Sequence, residues 1–528
     1  MLSRFEDIPS GSQVEADICV IGAGPAGIAM AKEFLGTDTN VLVIESGGLE
    51  FNKEIQDLYR GLNQRGDFKL HKSRYRIFGG TSYVWGGWCA PLDESDFQTK
   101  SWVPNSGWPI GLSDIMPFYV RAQPLFELGR YRYDVADWDF GESEVLSLDG
   151  AKLRHRFWQL SPPTEFGVVY REELSQAPNV RVLLHANATE IVTDPETSTV
   201  REITLQDLHG RQASVSAAAY VIACGGIETA RLMLASQRHN PSGIGNGHDL
   251  VGRFFMEHPH PDAGGVAFSV EPERLKPYYE RNWDSEKIIV GWGPSSIAQE
   301  RLKILNCSIV LHDSIYYEPS EGMDSLVKLS RAIDSGEWPD DAGAHIWRVL
   351  RDLDGVLRET YMRAKEGPVR GFGLIARTES APNPDNRVSL SHERDELGMP
   401  RVELDWKVGE LERTTVEQTV NLLAQEFGRM EIGRVLINQL LLEDSDAWSR
   451  NLSWFGHHMG TTRMSDNPRT GVVDKDCKVH GMANLYVASS SVFPTCGYAN
   501  PTLTIVALAI RLSDHLKSLA GRGLLGAA

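Results

Sequence analysis

The stretch Ala16–Gly36, ADICVIGAGPAGIAMAKEFLG, decides the fold. Asp17 to Ile21 is a short apolar run rich in β-branched residues, the pattern of a parallel strand buried on both faces. Gly22, Gly24 and Gly27 follow as GxGxxG, with Ala26 inside the motif, and Ile28 to Leu35 continue with helical spacing until Gly36 ends the helix. In such a strand–turn–helix unit the first glycine makes the turn. The second lets backbone approach a pyrophosphate, and the third lets helix pack closely on strand. The helix start offers free N–H groups and a positive dipole end to phosphates. A second predicted strand, NVLVIE, ends in Glu45 with Ser46 beside it; Glu45 lies eighteen residues beyond Gly27, where a carboxylate can accept ribose hydroxyls. This unit alone suits NAD and FAD equally.

Working outward, RIFGGTSYVWGGWCAPL (Arg76–Leu92) packs four glycines and two tryptophans into a segment too irregular for helix or strand. Such glycines let backbone lie against a planar ligand, with Trp85 and Trp88 as walls; a purely structural glycine loop is the alternative. NVRVLLHANATEIV and AAYVIACGGIETARLML read as further strands of the same sheet, the second turning through Gly225-Gly226 into a helix. Near the end, NLYVASSSVFP reads as a strand, and ANPTLTIVALAIRLSDHL as a helix with Asn500 at the N-cap and Pro501 at its first position. The middle of the chain changes character, with charged and Trp-rich stretches, a turn cluster APNPDNRVSLS and a helix from Gly409 to Phe427. The expected fold is α/β: a discontinuous Rossmann-like domain (residues 1–100, 165–265 and 452–528) with an inserted α+β substrate-binding domain (101–164 and 266–451).

Bulk properties narrow the function classes. With 528 residues and a formal net charge of -18, the chain lacks the basic footprint of a nucleic-acid binder. Six scattered cysteines without a CxxC pair fit a reducing compartment. The first twenty residues lack the charged and apolar regions of a signal peptide, and no uncharged apolar run reaches the ~18 residues of a spanning helix. The expectation is a cytoplasmic protein with no membrane span.

One further segment, WFGHHMGTTRM (Trp454–Met464), holds two adjacent histidines in a stretch with no regular period. Adjacent residues rarely converge on one metal ion, and no Cys or carboxylate cluster accompanies them, so no metal site is expected. GAGPAG, GGTS, HHMGT and ANPTLT in one chain, in this order, resemble the glucose–methanol–choline (GMC) flavin oxidoreductases, closest to the pyranose oxidase branch and its bacterial glycoside-oxidising relatives. VGRFFMEHPH and PNPDNRVSLS look like elements of those bacterial relatives too.

The resemblance implies FAD as cofactor, His457 as catalytic base, and Asn500 as the second catalytic position and a cofactor contact. It puts Gly80, Thr81, Ser82, Trp85 and Gly86 against the flavin and Ala188 by its backbone against the adenine. Ala223, Gly225, Ser489 and Thr502 complete the cofactor set. Pyranose oxidases can attach flavin through a histidine where this chain has Val84, so FAD is expected to be non-covalent. An Asp common in the last strand of the family is replaced here by Ala488-Ser489.

The implied chemistry is oxidation of a CH–OH group of a carbohydrate or glycoside to a carbonyl, with Phe455, His457 and Asn500 around the substrate. His457 would take the hydroxyl proton while hydride passes to flavin N5, and oxygen or another acceptor would reoxidise the cofactor. The alternative is oxidation of a primary hydroxymethyl on an amino-sugar or other polyol. An NAD-dependent dehydrogenase would leave the C-terminal motifs unexplained. His458 reads as structural, while His258 and His260 of EHPH stay open between a pocket role and a structural one.

Overall fold

The computed structural model describes residues 1–65, 69–141, 145–270, 272–312, 321–335, 338–339, 341–357, 360, 371–442, 447–450 and 452–525. Strand Gln13–Ile21 runs parallel to Val41–Ile44 on one side and to Gln212–Ile222 on the other. Val180–Leu184 and then Leu2–Arg4 extend the sheet outward in parallel, and Leu485–Val487 pairs in parallel with the end of Gln212–Ile222. Both faces are covered, which is why Ile18, Cys19, Val20 and Ile21 are all buried and read as an unbroken apolar run. Helices Pro25–Glu33, Gly225–Ala235 and Thr502–Gly521 belong to this layer. It is the Rossmann-like α/β architecture expected, with Asn187–Thr193 and Val200–Gln206 added as an antiparallel meander.

A second, antiparallel sheet has the order Gly433–Ile437, Asp262–Phe268, Gly371–Thr378, Cys307–His312, Glu286–Pro294, Leu153–Leu160, Trp88–Cys89. Strand alternation gives its two faces different tasks. Phe157, Ile309, Leu374 and Ala376 join a separate core with Val416, Val420, Leu423 and Phe427 of helix Glu410–Arg429, whose spacing of four, three and four residues puts them on one stripe. The intervening residues Trp158, Ser308, Val310, Ile375 and Arg377 face a cavity that also borders the first sheet. One sheet face thus holds the molecule together and the other walls a site. Among the described residues no helix is long and apolar enough to cross a membrane.

The C-terminal helix begins at Thr502, with Pro501 at the N-cap position. Asn500 therefore lies one residue before the cap, which corrects the sequence reading, and its side chain is committed elsewhere.

Candidate active site

The cavity has a volume of about 1130 Å³ and runs from the glycine turn after the first strand to the histidines near the C-terminus. That exceeds the ~300–1,000 Å³ of ordinary small-molecule pockets, as a dinucleotide plus substrate requires. Gly22, Gly24, Ala26, Glu45, Ser46, Gly80, Thr81, Ser82, Trp85, Gly86, Ala188, Ala223, Gly225, Ser489, Asn500 and Thr502 all line it. Gly27 does not: a Cβ there would stand 1.9 Å from the Gly22 carbonyl oxygen, so this glycine serves helix-on-strand packing. At Gly24 a Cβ would meet nothing within 4 Å, so the backbone there is open to the cavity. Gly22 has φ +107°, the left-handed turn that aims the loop.

Glu45 is tied at both oxygens to the loop, accepting N–H of Ala23 at 2.9 Å and of Gly47 at 2.7 Å. It shapes the turn as well as lining the cavity. Nearby, Glu228 accepts from Arg74 at 2.7 Å and Arg76 at 2.8 Å, and Arg231 bridges it to Asp395. Burial pushes the Glu228 carboxyl up, but the three guanidinium groups outweigh it and hold it at about 2. Each of these charges has a partner.

The other end is built from four distant stretches. The segment holding Met256 to His260 pairs antiparallel with Ser453–Met459 through bridges at Met256–Met459 and His260–Ser453. The zipper needs Gly460 at φ +89°, where a Cβ would stand 2.2 Å from the Phe254 carbonyl oxygen. It brings His258 beside His457, with Nδ1 atoms 2.9 Å apart. His258 Nε2 lies 2.9 Å from the carbonyl oxygen of Gly497.

Donor and acceptor chemistry then assigns the protons. A carbonyl oxygen only accepts, so His258 carries its proton on Nε2. Burial, with Arg377 next, lowers the His258 pKa to about 3, so the ring is neutral and its Nδ1 is a bare acceptor. His457 must then donate from Nδ1, which leaves its Nε2 unprotonated. Burial, followed by His258, Arg377 and His458, holds the His457 pKa well below the usual 6.5.

Asn500 Nδ2 lies 3.4 Å from this Nε2, and Arg377 Nη1 donates to Asn500 Oδ1 at 2.6 Å, which fixes the orientation of the amide. Arg377 Nε donates to His260 Nε2 at 3.3 Å. Glu257 Oε1 accepts the backbone N–H of His457 at 2.9 Å and of His258 at 3.1 Å. Burial pushes the Glu257 carboxyl up to about 8, against those N–H donors and Arg377. His458 Nε2 stands 3.8 Å from Glu257 Oε2, but burial, with Arg74, holds this ring down to about 3, so the contact is between largely uncharged groups at neutral pH. Phe455 is 62% exposed at the mouth, with its ring 4.3 Å from that of His260.

The structure brings His457 and Asn500 within reach of each other and places Phe455 at the edge of the same cavity. Sequence reasoning left His258 undecided and missed Glu257 and Arg377. The alternation LIAR, with a basic residue on a β-face otherwise occupied by Ile375, is the signal that marks Arg377.

Comparison with known proteins agrees with this geometry. Residues 382–509 match the GMC oxidoreductase C-terminal family model, described as GMC oxidoreductase. The chain is similar to the fructose dehydrogenase large subunit of Gluconobacter japonicus, 28% identical over 66% of this chain and 56% of that subunit, so the match spans little more than half of its length. It is 25% identical to the 6'''-hydroxyparomomycin C oxidase of Streptomyces lividus over 95% of this chain and 91% of that enzyme. Among solved structures, pyridoxine 4-oxidase shares the fold with a TM-score of 0.54 at 15% identity, covering 95% of this chain and 99% of that one. The cavity, its glycine approach and these matches agree: residues 382–509 are the C-terminal part of a GMC oxidoreductase, and the chain as a whole is similar to oxidoreductases in sequence and fold.

Proposed function

We propose that the chain oxidises a CH–OH group of a sugar, glycoside or other polyol to a carbonyl, with a primary hydroxymethyl as the reacting group. The observation that carries this reading is the hydrogen-bond chain Gly497–His258–His457, which leaves an unprotonated imidazole nitrogen in the cavity beside an amide donor. His457 Nε2 accepts the hydroxyl proton. Asn500 Nδ2–H donates to the same oxygen as negative charge builds on it. His258 acts as a positioning residue: its Nδ1 keeps accepting from His457 Nδ1–H, and that bond strengthens when His457 becomes a cation. Arg377 keeps the Asn500 amide from turning over. FAD, when bound, takes up the hydride equivalent from the carbinol carbon.

Two observations refine the reading. The hydroxymethyl is favoured because a relative matched along nearly its whole length oxidises a 6'''-hydroxy compound, and the hydroxyl at position 6 of a hexose ring is exocyclic and primary. A secondary ring hydroxyl is the second reading, favoured by the likeness of part of the chain to C-glycoside 3-oxidases. FAD is held without a covalent bond to the loop after Gly79-Gly80, since Val84 there lines the cavity and has no nucleophile to offer. Oxygen or a separate acceptor then reoxidises it.

The test is an anaerobic titration of the purified yellow protein with a panel of sugars, glycosides and polyols, followed by air. Bleaching of the flavin by members bearing a hydroxymethyl, and not by their 6-deoxy counterparts, is the expected result. Equal bleaching by the 6-deoxy compounds moves the reaction to a ring hydroxyl, and no bleaching by any member overturns the reading.

A further inference from the structure

The two ends of the cavity differ in charge balance, and at the histidine end the half-buried cation is Arg377. Arg377 projects from strand Gly371–Thr378 into the cavity. Its Nε and Nη1 are engaged by His260 and Asn500, and among the described residues Nη2 has no protein partner and no carboxylate lies within 4 Å of the guanidinium. The described carboxylates lining the cavity are Glu45, Glu228 and Asp395, and each is committed to backbone N–H groups or to other arginines. Glu257 is not among the lining residues; it acts on Arg377 from beyond 4 Å, and its Oε1 is taken by two backbone N–H groups. Burial lowers the pKa of Arg377 to about 10, which still leaves it a cation. The rings of Trp88 and Trp158, with centroids 4.9 and 5.6 Å away, offset part of the charge through their π faces. They supply no acceptor for Nη2.

We infer that Arg377 is a specificity-determining residue that receives a carboxylate of the substrate, so that the alcohol oxidised is a hydroxy acid or sugar acid. A carboxylate oxygen can accept from the Nη2 N–H groups and supplies the missing negative charge. The reacting hydroxyl must be close by, because only the Asn500 amide separates Arg377 from His457 Nε2. The carboxylate and the carbinol carbon therefore lie within a few bonds of each other. An ammonium group would meet the Arg377 cation at this end, with Arg281 exposed at the mouth as a second one. This inference rests on the proposed reading of His457 and Asn500 as the reacting end.

The experiment compares matched acids and amides on the holoenzyme. Binding of acetate and acetamide, and of malonate and malonamide, is measured by calorimetry and by perturbation of the flavin spectrum. kcat/KM is measured for glycerate and glyceramide. The acid of each pair should be favoured by about tenfold to a hundredfold, the span of a charge-assisted hydrogen-bond pair. In Arg377→Met the acid-to-amide ratio should collapse toward one while the flavin stays bound. Arg377→Lys, which keeps the charge, should retain part of the preference and serves if the methionine variant does not fold. Equal binding and turnover of acid and amide by the unaltered enzyme overturns the inference, and neutral polyols still bleaching the flavin would then leave the proposed reaction standing. Carboxylate binding that depends on Arg377, with no alcohol reducing the flavin, supports the anion site and removes the proposed reaction instead.

Discussion

The two ends of the cavity are assembled in opposite ways. At the glycine end, Gly22 to Glu45 and Ser46 come from one strand–helix–strand unit, and the arginines around Glu228 are paired with carboxylates. At the histidine end, His258, Arg377, His457 and Asn500 come from four stretches, the rings are held neutral, and the cation stands without a carboxylate within 4 Å. The first end is a preformed cradle that depends on backbone shape. The second is a low-dielectric pocket in which proton positions are dictated by hydrogen-bond direction. The two ends of the cavity rest on different parts of the sheet architecture.

Substitutions should separate the two ends as well. The largest effect is expected of His457→Ala, which removes the proposed base: turnover should fall about 10²–10⁴-fold, while the flavin absorbance of the purified protein is unchanged. If flavin is lost too, the ends are not independent. Next, His258→Phe removes the acceptor for His457 Nδ1–H and frees the other tautomer, so kcat should fall by about tenfold or more with little change in KM. An unchanged kcat would break the tautomer assignment. Gly27→Ala presses a methyl against the Gly22 carbonyl and should cost about 1–3 kcal/mol of stability, with weaker flavin retention and an unaltered pH profile for the enzyme that still binds flavin; thermal denaturation and absorbance check this.

Two pH effects sharpen the contrast. Because the His457 pKa is held below 6.5, the acid limb of kcat/KM should fall below that value. A limb at or above 6.5 would mean that the base is not the buried, neutral imidazole described. Glu257 titrates in the opposite sense: its carboxyl is raised in the folded state from 4.5 to about 8. Its contribution to stability is therefore full below 4.5 and is lost as pH rises through 8. Glu257→Gln keeps an acceptor for the two backbone N–H groups without the ionisation. The variant should gain stability relative to the unaltered protein between pH 5 and pH 8, and a difference that stays flat across this range would place the ionised carboxylate in the fold.

The glycine end is legible in the sequence because its information is local. A buried parallel strand must be continuously apolar, and a turn onto pyrophosphate must lack side chains, so ADICVIGAGPAG announces both. The paired histidines and ANPTLT are legible only as a set, through their resemblance to a family. Asn500 shows the limit of local reading: its place before Pro501 reads as a helix cap, yet the helix starts at Thr502 and the amide faces His457 and Arg377 instead.

By itself, then, the sequence determined the α/β class and the glycine turn that opens the cradle, which follow from periodicity and glycine placement, properties of neighbouring residues. The residues offered as base and amide donor, His457 and Asn500, came only through the resemblance to a family. Only the tertiary structure decided which imidazole nitrogen is free and which half-buried arginine stands without a carboxylate within 4 Å. It also raised the Glu257 carboxyl by burial. Each of these depends on burial and on partners supplied by segments far apart in the chain, such as the Gly497 carbonyl that sets the tautomer of His258. No pattern of neighbours along the chain encodes such a contact.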